Sequence, residues 1–263
     1  MSRAGAPAQA LTPMALPNGT AVLQLNPEET SLQYRDIVAT RAYLQHGLAL
    51  APGAVVFDVG ANIGISALFF HWEAADVTVH AFEPAPLMYE ALVRNVAAHG
   101  VRGATYRCAL GREPGTARLA FYPLVTAMSS LYADRDHDAE VTRTFLVNSG
   151  FDESDVDDLM AGRHVTEEQA CEVRTLSDVV AEAGVDRIDL LKINVEKAEC
   201  DVMAGIAEAD WPRVRQLVMQ VHDLDGRVAA VERDLAARGY EVTVDQDPLL
   251  AGTDVFDLFA RRP

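Results

Sequence analysis

Lysine is nearly missing from this chain: only Lys192 and Lys197 are lysines, and the other basic residues are arginines. Acidic residues number 39 against 22 basic ones, a formal net charge of −17. With no run of Lys or Arg, so acidic a chain repels phosphate backbones and anionic lipid, and neither nucleic acid nor a membrane is an expected partner. Missing too are an apolar run of the ~20 residues that span a bilayer and a secretory leader. The cysteines, Cys108, Cys171 and Cys200, are odd in number, far apart and match no zinc spacing. They read as reduced thiols in a cytoplasmic protein. What is plentiful is apolar content, 49% of 263 residues, enough for one large core without a second.

The chain opens on an Ala/Pro-rich stretch without periodicity, and residues 1–30 are expected as a flexible tail. Residues 31–263 then read as a single domain. From Ser31 to Leu50 the positions Tyr34, Ile37, Val38, Leu44 and Leu48 keep helical spacing, which predicts one or two capping helices. After the Pro52-Gly53 break, Ala54 to Phe57 is a short continuous apolar run, the mark of a parallel strand buried on both faces. A helix from Ile63 to Trp72, a strand from Val77 to Phe82, a helix from Pro86 to His99 and a third strand from Ala104 to Ala109 follow. Such alternation with short connectors builds a parallel sheet wrapped by helices.

Thr116 to Phe121 reads as a hairpin strand, and residues 127–166 are acidic and weakly periodic. So long an insertion is expected to be a lid over the site. Alternation resumes with strands at Ile188–Ile193 and Gln216–Val221, helices at Lys197–Ile206 and Arg227–Arg238, and a late strand pair, Glu241–Val244 and Val255–Ala260. The hairpin strand aside, about seven strands form one sheet, the late pair closing one edge.

The strongest local signal is Asp58-Val59-Gly60-Ala61-Asn62-Ile63-Gly64, between a buried strand and a helix. Glycine lets the backbone turn tightly and approach a ligand closely, and ligands of open α/β sheets bind at the carboxyl ends of the strands. Gly60 and Gly64 with Asn62 between them are not the three-glycine dinucleotide fingerprint, so a nicotinamide-dependent oxidoreductase is disfavoured and a nucleoside without pyrophosphate is favoured. Glu83, ending the next strand before Pro84, can accept from both hydroxyls of a ribose. Asp58 can meet an ammonium group. Either acid alone would more often cap a helix or end a strand in solvent.

These runs, together with Asp189-Leu190-Leu191-Lys192-Ile193-Asn194-Val195-Glu196, Val221-His222-Asp223 and Pro248-Leu249-Leu250, resemble the FkbM-type methyltransferases from about Tyr34 to the C-terminus. The resemblance implies a Rossmann-like class I methyltransferase fold, S-adenosylmethionine as cofactor, and O-methylation of a hydroxyl on a polyketide, macrolide or related natural product. It also implies cofactor contacts: Asp58, Gly60, Asn62 and Gly64 on the methionine side, Glu83 on the ribose, Cys108 and Ala109 flanking adenine, and the Ser129-Ser130 turn and Asn194 nearby. Two departures stand out. The family usually reads Ile-Asp-Val-Glu-Gly where this chain has Ile193-Asn194-Val195-Glu196-Lys197, and Gln220 stands where an acid is common. Asparagine keeps the shape but cannot ionise near neutral pH, which argues against a metal.

Methyl transfer needs alignment, water exclusion and, for a hydroxyl acceptor, a base. The candidate catalytic set is His222, Glu196 and Asn194, with His222 as the base because imidazole titrates in the right range. Glu196 and Asp223 are alternatives, or partners orienting the imidazole. Tyr43 and His46 either close over the cofactor or belong to an amphipathic helix face, while His137 and His164, in the insertion, are expected to be solvated. The expected acceptor is a small molecule, free or tethered to a carrier protein; homodimerisation stays open. Two further readings are kept: a non-catalytic S-adenosylmethionine-binding partner protein, motivated by Asn194 and Gln220, and N-methylation of a small metabolite.

Overall fold

The computed structural model describes residues 10–263, and its first element corrects the expectation of a flexible tail. Thr12–Ala15 (β1) and Ala21–Gln24 (β2) pair as an antiparallel hairpin. Asn18-Gly19 sits in its turn, where Gly19 takes φ +82°, the conformation that tight hairpins demand. The hairpin is held by Asn95, whose side chain accepts from Leu23 N at 2.7 Å and donates to Leu23 O at 2.9 Å and to Ile63 O at 2.8 Å. Local sequence does not reveal an anchor 72 residues away. Residues 1–9 of the expected tail lie outside the described residues.

The helical cap begins at Pro27–Gln33 (α1), where Asn26 caps the N-terminus by accepting from Glu28 N and Glu29 N, and Pro27 occupies the first turn. Wider and tighter helical turns at Tyr34–Ala39 and Ala42–Leu44 complete the cap.

Val55–Val59 (β3), Ile65–Glu73 (α2), Thr78–Phe82 (β4), Pro86–Ala98 (α3) and Arg102–Tyr106 (β5) follow as the alternation predicts. Six consecutive residues of α2, Ile65 to Phe70, are buried, so this helix is enclosed all round. Past β5 the reading needs correction, because the third strand ends at Tyr106 and not at Ala109. Ala109–Leu110 (β6) instead joins a separate three-stranded sheet with Gly115–Phe121 (β7) and Glu167–Arg174 (β8), in the order β6-β8-β7.

The insertion between β7 and β8 is helical, with Arg135–Asn148 (α4) capped by Asp134 and Glu153–Met160 (α5). Then come Leu176–Ala183 (α6), Leu190–Ile193 (β9), Glu199–Ala204 (α7), Gln216–His222 (β10), Arg227–Ala237 (α8), Glu241–Asp245 (β11) and Val255–Arg261 (β12).

The main sheet has seven strands in the order β11-β12-β10-β9-β3-β4-β5. Every pair from β10 to β5 is parallel, while β12 runs antiparallel between β10 and β11. The expected late pair does close one edge. This is the mostly parallel Rossmann-like sheet that the alternation predicts. Because the chain builds outward from β3 to β5 and then crosses back to β9, the order reverses between β3 and β9. A crevice opens at the carboxyl ends of two such diverging strands, where ligands of open α/β sheets bind.

Candidate active site

The crevice spans about 890 Å³, a figure that takes in open solvent at its mouth. Its floor is the loop after β3, and one wall is the loop after β9. The fit of these two loops fixes one residue type absolutely. Gly60 has φ +80°, and a Cβ there would lie 1.8 Å from the carbonyl oxygen of Asn194. Only glycine meets both conditions. Gly60, Asn62, Glu83, Cys108, Ala109, Ser129, Asn194 and Glu196 all line the crevice.

Glu83 sits at the carboxyl end of β4, 7% exposed. One carboxylate oxygen accepts from Asn62 N and the other from Ala85 N, each at 2.9 Å. Burial pushes its pKa up to about 7, against the pull of those two N–H groups. Each oxygen keeps a lone pair for a further donor. Asn62 faces it from the glycine loop and donates through Nδ2 to Thr126 Oγ1 at 3.0 Å. Thr126 N and Ala127 N in turn donate to Glu29 at 3.1 and 2.6 Å, so a carboxylate on α1 fixes the turn that crosses the crevice. Cys108 and Ala109 line the same end, and burial raises the Cys108 thiol to about 12, leaving it inert.

Asp58 and Gly64, expected beside the ligand, are not on the lining. Asp58 is fully buried beneath the loop, accepts from Ser66 Oγ at 2.6 Å and pairs with Lys192 Nζ at 3.1 Å. Lys192 is 2% exposed, donates to Gly60 O at 2.7 Å and to Val59 O at 3.2 Å, and lies 5.4 Å from the centre of the Tyr43 ring. Burial alone would lower its pKa, but the attraction of Asp58 and Tyr43 raises it. This cation fastens β9 to the glycine loop from below. Its signal was a charge inside the apolar run Leu190-Leu191-Lys192-Ile193 of a chain with only two lysines. Gly64 caps α2 and packs on Leu92, behind the crevice. Tyr43 lines the crevice, whereas His46 turns outward to Asp245, 3.0 Å away.

The rim beside the loop after β9 is ionic. His222 is 2% exposed, with Nε2 3.3 Å from Glu196 and Nδ1 3.3 Å from Glu199. Burial would lower its pKa, but hydrogen bonds to the two carboxylates outweigh that and push it up to about 10. At neutral pH it is an imidazolium with no lone pair to take a proton, so the expected role of neutral base does not fit. Glu196 is the member of this group that reaches the crevice. Glu196 and Lys197 hold left-handed backbone at φ +50° and +75°, which costs non-glycine residues about 1–2 kcal/mol each. Asp223 caps the start of α8 by accepting from Val228 N at 3.0 Å. Gln220 is on β10, beside β9 as expected, and pairs in register with Asp257 of β12.

Of the two histidines of the insertion, His137 is partly exposed and His164 is buried. His137 Nε2 lies 2.9 Å from Asp254, and His164 is 7% exposed with Nε2 3.1 Å from Thr142 Oγ1. Among the described residues no group of three or more His, Cys, Asp or Glu is placed to hold a metal ion. Nor, among them, is any helix long and apolar enough to cross a membrane.

The family described as "Methyltransferase FkbM domain" matches residues 58–242. The chain is 48% identical over 250 residues to "31-O-demethyl-FK506 methyltransferase FkbM" of Streptomyces tacrolimicus, covering 95% of this chain and 96% of that one. It is 35% identical over 261 residues to "AMB antimetabolite synthetase AmbE" of Pseudomonas aeruginosa, covering 94% of this chain but only 12% of that much longer protein. With "Methyltransferase 1" of Beauveria bassiana it shares 32% identity over 193 residues, 73% of this chain and 74% of the relative.

Proposed function

Because the chain belongs to the FkbM methyltransferase family, we propose that it methylates a hydroxyl oxygen of a polyketide, macrolide or related natural product, with S-adenosylmethionine as methyl donor. The observation that carries the reading is Glu83. A buried carboxylate whose pKa is raised to about 7, with both oxygens anchored by backbone N–H groups at the lining of the crevice, suits the two hydroxyls of a ribose. When bound, the cofactor supplies an electrophilic methyl group on a sulfonium.

The residues of the chain then divide the work. Glu83 receives the ribose hydroxyls, Cys108 and Ala109 flank the base, and Gly60, Asn62, Ser129 and Asn194 border the methionine end. Asp58 and Lys192 act from beneath, holding the loop. Glu196 accepts a hydrogen bond from the acceptor hydroxyl and aligns its oxygen, and the His222 imidazolium holds the Glu196 carboxylate in place. In this arrangement alignment and water exclusion supply most of the rate, and the Glu196 carboxylate receives the hydroxyl proton, which becomes acidic as the new C–O bond forms, with S-adenosylhomocysteine as the neutral leaving group. The name of the Streptomyces relative supports a hydroxyl acceptor on a macrolide.

The test is calorimetric titration with S-adenosylmethionine, S-adenosylhomocysteine and NAD, on the wild type and on Glu83→Ala. Both adenosyl ligands should bind and NAD should not, and the variant should bind at least about tenfold more weakly, about 1.4 kcal/mol. Failure of both adenosyl ligands to bind would sink the reading. Turnover is then assayed with 31-O-demethyl-FK506 as acceptor probe. Tight cofactor binding without turnover of this or any hydroxyl acceptor would favour a non-catalytic binding protein.

A further inference from the structure

Lys197 stands where the family pattern usually has glycine, and its backbone keeps the left-handed conformation that glycine would favour, φ +75°. The side chain that replaces the missing hydrogen is not in solvent. Lys197 is 4% exposed, and its ammonium pairs with Asp138 of α4, itself 3% exposed. Asp138 also accepts from Tyr122 OH at 2.7 Å. The same loop is held on three further sides: Lys197 N donates to Glu199 at 2.7 Å, Arg227 donates to Lys197 O at 3.0 Å, and Ser130 Oγ donates to Glu196 O.

Neither component of this arrangement favours stability. A left-handed non-glycine residue is strained, and desolvating two charges offsets most of their attraction. Strain and buried charge persist where the surroundings over-determine a geometry, and they cluster at functional sites. The neighbour whose geometry is fixed here is Glu196, adjacent in sequence and facing the crevice. On its far side the pair reaches the helical insertion. Other anchors of α4 lie against the chain between β11 and β12, through His137 to Asp254 and through Asn148 to Leu249 and Ala251.

We propose that the buried Lys197–Asp138 pair is a positioning device for acceptor recognition: it docks α4 against the loop after β9 and so keeps Glu196 turned into the crevice. The proposal rests on the reading that Glu196 meets the acceptor, and it assigns both residues a positioning role and no contact with the reacting atoms.

The test compares Lys197→Gly, Asp138→Asn and the double variant with the wild type. The double variant leaves no uncompensated buried charge, so it should fold even if a single variant does not. Amide hydrogen exchange over residues 135–148 and 196–199 should quicken by about tenfold or more in each variant, with the double variant no faster than the worse single one. S-adenosylmethionine affinity should stay within about twofold of wild type, while KM for the demethylated macrolide probe rises by at least about fivefold. Wild-type exchange over α4 in the double variant would overturn the docking claim. A lowered unfolding midpoint with unchanged KM would show a pair that only stabilises, and would overturn the positioning role. If the wild type bound no adenosyl ligand, the functional reading would fall, and the exchange measurement would still decide whether the pair docks the helix.

Discussion

Glu83 and His222 both titrate away from their ordinary ranges, and each has its own consequence with pH. The Glu83 carboxyl, raised to about 7, must ionise fully to accept from ribose hydroxyls. Cofactor affinity should therefore rise with pH through that value, by roughly tenfold between pH 6 and pH 8. A pH series of titrations checks this, and Glu83→Gln should flatten the profile. A flat wild-type profile would place the ribose elsewhere. For His222 the folded pKa, about 10, lies above the ordinary histidine value of 6.5. Its stabilisation is thus complete below pH 6.5 and lost as pH rises through 10, about 1.4 kcal/mol per unit between. Urea unfolding between pH 7 and 10 reads this slope. His222→Leu should lose about 3–5 kcal/mol at pH 7, because Glu196 and Glu199 would be left without their cation, and it should show a shallower slope. Composition showed that a histidine stood at this strand end. Of the two carboxylates beside it, Glu196 was legible as a partner of the imidazole, whereas Glu199 arrives from a helix that only the folded chain places there.

Among the elements, those made of short-range pattern were legible and those made by distant contacts were not. The alternation from β3 to β5 and from β9 to α8 follows from apolar runs and spacing, and the observed ends differ by a few residues. The hairpin β1-β2 escaped because Pro13 and exposed positions blur its pattern, although Asn18-Gly19 marked its turn. Strand β8 has a largely exposed, charged face, Glu167-Glu168-Gln169-Ala170-Cys171-Glu172, that resembles a loop until β7 is laid beside it. The helix α6 went unread although Thr175 and Asp178 form a reciprocal cap, a signal open to inspection. The glycine loop was the most legible part of the site, and its strictest requirement can be tested. Gly60→Ala puts a methyl group into the Asn194 carbonyl, 1.8 Å away. We expect a loss of at least about 2 kcal/mol in unfolding free energy, with cofactor binding abolished. Near-wild-type binding would mean that the two loops separate readily.

On the scale of the whole molecule, the sheet order placed the crevice between β3 and β9, and the glycine loop and Glu83 pointed there from sequence alone. The ionic rim read out only in part, at Glu196 and His222, because it also joins Asp138 of α4 and Glu199 of α7, far apart in the chain. The scarcity of lysine now acquires a further meaning. Both lysines are buried, at 2% and 4% exposure, so among the described residues the permanent surface cations are all guanidinium groups. A protease that cuts only after lysine therefore has two target bonds, neither of which the folded protein presents. Lys192 lies in the central strand, so its bond opens only when the sheet does; Lys197 lies on the rim, so its bond opens when the rim loosens. Slow digestion under native conditions should cut first after Lys197, and saturating cofactor should delay both cuts. The chain thus carries two internal clocks, one for the mouth of the crevice and one for the fold beneath it.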